Sequence, residues 1–166
     1  MKHWKIIQAL NFNACWFLCV LGQNQWIWLT LVLLVAQIVL SPSTKNDLRV
    51  LPLAILGIAT DSVLWLCGLF AFASPPIWLA VLWLAFILNF GHSMAFLANL
   101  PLAARSLLGS AAGTYSYLIG WKLGALQLPQ GAWMTAAIIA FVWALMLPTL
   151  ATLDKLIRQS KPLSFH

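Results

Sequence analysis

Apolar runs alternate with short polar breaks along the whole chain, and six of the runs read as membrane-crossing helices. They cover residues 4–21, 26–40, 50–72, 77–96, 107–126 and 132–153. The second run is the shortest and falls just below the roughly 17 residues a crossing needs, so it is expected to borrow turn residues. The breaks carry turn chemistry. The loop at 41–49 contains Pro42, residues 73–76 read Ala-Ser-Pro-Pro, and residues 128–131 read Leu-Pro-Gln-Gly. The pattern predicts an all-α fold, a six-helix transmembrane bundle forming a single domain over 1–166.

Charge gives the bundle a direction. Lys2 and Lys5 precede the first run, Lys45 and Arg49 lie between the second and third, Arg105 lies between the fourth and fifth, and Lys155, Arg158 and Lys161 follow the sixth. The alternate breaks at 22–25, 73–76 and 128–131 carry no charge. Cytoplasmic loops of membrane proteins collect Lys and Arg, so both termini are expected in the cytoplasm and the chain in a bacterial inner membrane. Lys122 departs from this pattern, and its stem is expected to snorkel to the outer interface or to meet an anionic headgroup or substrate.

Composition agrees. The chain is 63% hydrophobic and 7% charged, against about 25% charged residues in soluble domains. The spans use nearly all of these 166 residues, so no soluble domain is expected among them. The net charge of +6 belongs to helix ends that meet anionic lipid heads. Membrane lipids are therefore the expected partners, together with a lipid or amphiphile ligand or a second membrane protein. Nucleic acid is not expected. The basic start followed by apolar residues resembles a signal peptide, but Gln8, Asn11 and Asn13 interrupt it and no small-residue cleavage site follows. A retained first span is expected. Trp4, Trp26, Trp28, Trp78 and Trp133 flank the runs as an interfacial belt does. Trp16, Trp65, Trp83, Trp121 and Trp143 lie deeper and are expected to fill helix–helix grooves.

Asp61 is the one acidic residue inside a run. A carboxylate there costs about 3 kcal/mol on insertion scales. Ala54, Gly57, Asp61 and Gly68 share a helical stripe, and small residues mark the protein-facing side of membrane helices. Asp61 should therefore point inward as a proton acceptor, cation ligand or substrate anchor. Asn89, His92 and Ser93, spaced as one helix face, suggest a polar interior in which His92 pairs with Asp61 as a proton shuttle. Asp61 and His92 are the candidate catalytic residues. Asn89, Ser93, Tyr115, Tyr117, Lys122 and Asn11 are the candidate substrate-binding residues.

Structural features surround them. Gly109, Gly113, Ser116, Gly120 and Gly124 form a small stripe suited to close helix packing. Gln8, Asn11, Cys15, Cys19 and Gly22 form a second stripe that should face the bundle, with Gln37 opposite. Cys19 and Cys67 both approach the outer side, where a disulfide could form, although small apolar packing is their simpler role. Leu10-Asn11-Phe12 recurs as Leu88-Asn89-Phe90, a faint sign of an inverted repeat of the kind many transporters use.

Several classes are excluded. His3, His92 and His166 are too few for a multi-histidine iron site, and one intramembrane histidine cannot supply bis-His haem ligation. No metal site is expected, and no paired-carboxylate, P-loop or dinucleotide motif occurs. The cofactor stays undefined.

Four segments carry a resemblance. They are Asn13-Ala-Cys-Trp-Phe-Leu-Cys-Val-Leu-Gly22, Thr60-Asp-Ser-Val-Leu-Trp65, His92-Ser93, and Gly113-Thr-Tyr-Ser-Tyr-Leu-Ile-Gly-Trp-Lys-Leu-Gly-Ala125. Over nearly its whole length the chain resembles an uncharacterised family of small polytopic bacterial inner-membrane proteins, classed as a domain of unknown function. That resemblance implies no established activity. Genes of such proteins often lie near cyclopropane-fatty-acid-synthase-like genes, which implies a place beside membrane-lipid modification. The expectation is a polar intramembrane site, accessory to or acting in that modification. A small solute or proton-coupled transporter and a structural subunit are the alternatives.

Overall fold

A computed structural model describes residues 2–160; Lys161 and His166 lie outside the described residues. The described chain is helical: α1 (Lys2–Gly22), α2 (Ile27–Val39), α3 (Thr44–Val50), α4 (Ala54–Leu66), α5 (Ile77–Asn89), α6 (Leu102–Lys122) and α7 (Ala132–Gln159). Short 3-10 turns, Gln23–Trp26, Leu51–Leu53 and Ala95–Asn99, punctuate it. The sole β pairing among these residues is an antiparallel bridge of Ala71 with Gln127.

Three helical stretches are long and apolar enough to cross a membrane: His3–Val39, Thr44–Leu66 and Ala132–Gln159. The first folds back on itself. Gln23, with φ of 47°, breaks the helix, because L-residues tolerate that conformation only in single-residue turns. Asn11 then donates to Gln37 Oε1, and Cys19 Sγ lies 3.6 Å from Thr30 Oγ1. These pairings run antiparallel, so α1 and α2 form a hairpin. α3, its 3-10 turn and α4 make one rod, and with α5, α6 and α7 the described chain has six helical rods.

The connections sort by charge. Asn24 donates to the Pro75 carbonyl at 2.9 Å and accepts from the Trp78 amide at 3.0 Å, joining the first uncharged turn to the second. Ala71 and Gln127 exchange backbone hydrogen bonds, joining the second uncharged turn to the third. The charged connections meet elsewhere, where Asp47 binds both His92 and Arg158. Uncharged turns thus gather at one end of the bundle and charged ones at the other.

Helix bounds correct several sequence expectations. The third run, 50–72, is helical only to Leu66, and Gly68 adopts φ of 73° in the turn beyond. It therefore leaves the stripe that carries Asp61. The fourth run, 77–96, ends its helix at Asn89, so α5 spans only about 20 Å at 1.5 Å per residue. The fifth begins at Leu102 and stops at Lys122, and the sixth continues to Gln159.

α6 and α7 pack most extensively. A Cβ at Gly109 would lie 2.3 Å from the Trp143 carbonyl oxygen, and one at Gly113 would lie 2.2 Å from the Trp143 ring. Glycine alone allows that approach. Large apolar residues such as Val32, Val35, Val39, Leu107 and Phe141 are exposed on the outside, as helices facing lipid require.

Candidate functional site

Gly57 sets the position of Asp61's first partner. A Cβ there would fall 2.2 Å from the Trp83 ring, so the indole of α5 lies flat on α4 at that glycine. Trp83 also stacks on Trp143 of α7, with ring centroids 5.4 Å apart and planes 13° apart. Held on both sides, its indole N–H donates to Asp61 Oδ2 at 2.6 Å. Tyr117 on α6 is fixed in the same way by stacking on Phe70 at 5.2 Å and 14°. Its hydroxyl donates to Asp61 Oδ1 at 2.6 Å. Each carboxylate oxygen therefore accepts one neutral, well-aimed donor.

Asp61 is buried, and among the described residues no cation lies within salt-bridge reach of it. Hydrogen bonds alone stabilise its charge, in surroundings of stacked aromatic rings. Such a group can accept a proton while its two donors keep their places.

His92 is elsewhere. It follows the end of α5 and turns to Asp47 on α3, with Nε2 3.1 Å from both carboxylate oxygens. Asp47 lies 14 positions before Asp61, about 20 Å along the rod at helical rise. The expected Asp61–His92 pair is thus corrected to two separate sites. The helix ends at Asn89 because the chain closes on itself there. Asn89 donates to the Ala85 carbonyl at 2.7 Å, Ser93 Oγ donates to Asn89 Oδ1 at 2.8 Å, and the Met94 amide returns to the Asn89 carbonyl. Asn89 and Ser93 therefore serve this turn instead of sharing a helix face with His92.

Around Asp47 the charges form a network. Arg158 Nη1 donates to Asp47 Oδ1 at 2.9 Å, Arg158 Nε donates to Asp154 Oδ1 at 2.9 Å, and Ser41 Oγ donates to Asp47 Oδ2. Ser43 Oγ lies 3.1 Å from His92 Nε2. Ser43 and Asp47 face the same ring nitrogen, whereas a hydrolytic triad places nucleophile and acid on opposite nitrogens. The cluster is therefore an ion network and not a triad. All three acidic residues of the chain, Asp47, Asp61 and Asp154, are buried. Sequence reasoning singled out only Asp61. The i,i+4 spacing of Asp154 and Arg158 was the available signal for the second site.

The remaining candidates scatter. Tyr115 is 69% exposed and points away from Tyr117, its neighbour two positions on. Lys122 ends α6 with Nζ 4.4 Å from the Trp121 ring centroid. Asn11 pairs with Gln37 between α1 and α2. Gln8, Cys15 and Cys19 are buried along the inner stripe of α1. Cys19 and Cys67 are both free, the first buried against Thr30 and the second exposed. Trp16 donates to Ser116 Oγ at 2.9 Å, which brings α1 onto the small stripe of α6. Among the described residues no group of three or more His, Cys, Asp or Glu is placed to hold a metal ion.

A family described as "Protein of unknown function (DUF2878)" matches residues 5–149. The chain belongs to this family. The match takes in α1 through most of α7, with Asp47, Asp61, Trp83, His92 and Tyr117 inside it and Asp154 and Arg158 beyond it. Neither a curated protein nor a solved structure matches the chain.

Proposed function

We propose that this DUF2878 protein is a six-span bacterial inner-membrane protein with both termini in the cytoplasm. Through the Asp61 carboxylate, it acts in the modification of a membrane lipid or amphiphile, or assists it. One observation carries the reading. Asp61 is buried between Trp83 and Tyr117 with two neutral donors and no cation. A neutral acceptor could tie those two donors together at far lower cost than an intramembrane acid. An ionisable group at this point is suited to accepting a proton. The topology draws support from the gathering of Lys45, Arg49, Lys155 and Arg158 at one end of the rods and of the uncharged turns at the other.

Lipid profiles of a deletion strain and its parent test the proposal. The expected result is a changed lipid class in the deletion strain. Wild-type protein should restore it, and Asp61→Asn at normal abundance should not. An unchanged profile overturns the lipid reading. Reporter fusions at Arg49 and at the C-terminal tail should report cytoplasm, and a fusion at Ser74 should report periplasm. A periplasmic C-terminus overturns the topology.

A further inference from the structure

A cavity of about 170 Å³ opens beside the charged network, between residues 90–98 and the last turns of α7. Its walls are unlike in chemistry. Phe90, Met94, Leu97 and Ala151 supply apolar surface, while Lys155 and Arg158 supply cations. Gly91 makes room for the guanidinium, since a Cβ there would lie 2.1 Å from Arg158 Cζ. Asp47 and Asp154 occupy Arg158 Nη1 and Nε, but its Nη2 is buried and has no hydrogen-bond partner among the described residues. A guanidinium with one unmet donor beside an exposed lysine matches the oxygens of a phosphate group.

The charge around the cavity favours an anion. Arg105 reaches Thr152 Oγ1 at 3.0 Å, and Arg49 reaches Ser160 Oγ at 2.8 Å. Arg105, Lys155, Arg158 and Arg49 therefore surround the end of α7, against the carboxylates of Asp154 and Asp47. Four cations outweigh two acids, even with His92 neutral. Apolar walls next to these cations suit a group that carries hydrocarbon as well as phosphate.

We propose that this cavity binds the headgroup of an anionic phospholipid, with the Arg158 guanidinium and the Lys155 ammonium on the phosphate and the apolar wall against the adjoining hydrocarbon. The site is separate from Asp61 and does not depend on the lipid-modification reading. Binding can therefore fail while that reading stands, and the reverse.

Purified full-length protein in a neutral detergent should be titrated with short-chain phosphatidylglycerol, with phosphatidylcholine of the same chains, and with inorganic phosphate. Retained lipid is read by native mass spectrometry and the melting temperature in parallel. Phosphatidylglycerol should bind about thirtyfold more tightly than phosphatidylcholine, in line with two cations worth about 1 kcal/mol each. Lys155→Gln should weaken phosphatidylglycerol by about fivefold, the share of one cation near an anionic head. Ala98→Leu, which fills the cavity without touching a charge, should abolish the preference. Equal binding of the two lipids overturns the proposal, as does phosphatidylglycerol binding unchanged in both variants. A melting shift from inorganic phosphate as large as that from phosphatidylglycerol overturns the lipid source and assigns the cavity to a free anion.

Discussion

Tyr117 Oη lies 2.6 Å from Asp61 Oδ1 and ties α6 to α4 across 56 residues of sequence. Together with the Trp83 bond from α5, it makes one carboxylate the meeting point of three helices. Removing the carboxylate and removing its charge are therefore different experiments.

Asp61→Asn is expected to fold. Its amide oxygen can accept the Trp83 N–H while its NH2 donates to the Tyr117 oxygen, since a phenol accepts as well as donates. Asp61→Leu leaves the Trp83 N–H and the Tyr117 hydroxyl buried and unmet, at about 1–3 kcal/mol each. Melting in detergent should place Asn near wild type and Leu well below it. Loss of activity in Asn with an unchanged melting temperature would assign the charge to function, and full activity would assign Asp61 to structure.

Tyr117→Phe keeps the stack on Phe70 and deletes one donor to a charged acceptor. The expected loss is about 1.5–3 kcal/mol, the range for hydrogen bonds to ionised groups. A melting temperature equal to wild type would show that Tyr117 contributes no net stabilisation to the carboxylate.

Gly109→Leu should separate α6 from α7. Its Cβ would meet the Trp143 carbonyl oxygen at 2.3 Å, and backbone cannot swing aside as a side-chain tip can. Overpacking of this kind costs about 1–3 kcal/mol. Trp143 also stacks on Trp83, so the displacement should reach the Asp61 site. Accessibility of an engineered cysteine at Ser116, probed by thiol labelling, should rise. Unchanged labelling would refute close packing along this stripe.

Arg158→Gln leaves Asp47, which is 1% exposed, without its arginine partner. Breaking a buried pair by removing one partner costs about 3–5 kcal/mol. Membrane abundance should fall sharply, and Asp47→Asn placed on top should recover part of it. A double variant no more stable than the single one would show that Asp47 and Arg158 are not energetically coupled.

Some of these relationships were legible in the chain. The stripe of Ala54, Gly57 and Asp61 correctly pointed the carboxylate inward, because small residues and helical spacing are local signals. Tyr117 was among the candidates, but its link to Asp61 was not legible, and Trp83 was read only as a groove filler. The face assigned to Asn89, His92 and Ser93 failed for a physical reason. Phe90, Met94 and Phe96 continue the apolar pattern past Asn89, so nothing in the hydropathy marks where α5 stops. The turn is closed by Ser93 and by the Asn89 carbonyl, and its ring finds Asp47 45 residues away.

By itself the sequence determined the helical character, the positions of the uncharged turns and the sorting of Lys and Arg into alternate breaks. Each of these depends on neighbours within a few turns of one rod. Tertiary structure alone decided that His92 serves Asp47 and not Asp61, and that Tyr117 faces inward while Tyr115 faces out. It also decided that Arg158 bridges two buried acids. Those outcomes depend on which rods touch and at what height. Shape at the contact sets both: Trp83 seats on Gly57, Trp143 seats on Gly109 and Gly113, and no one-dimensional pattern records how an indole on one helix meets a glycine on another.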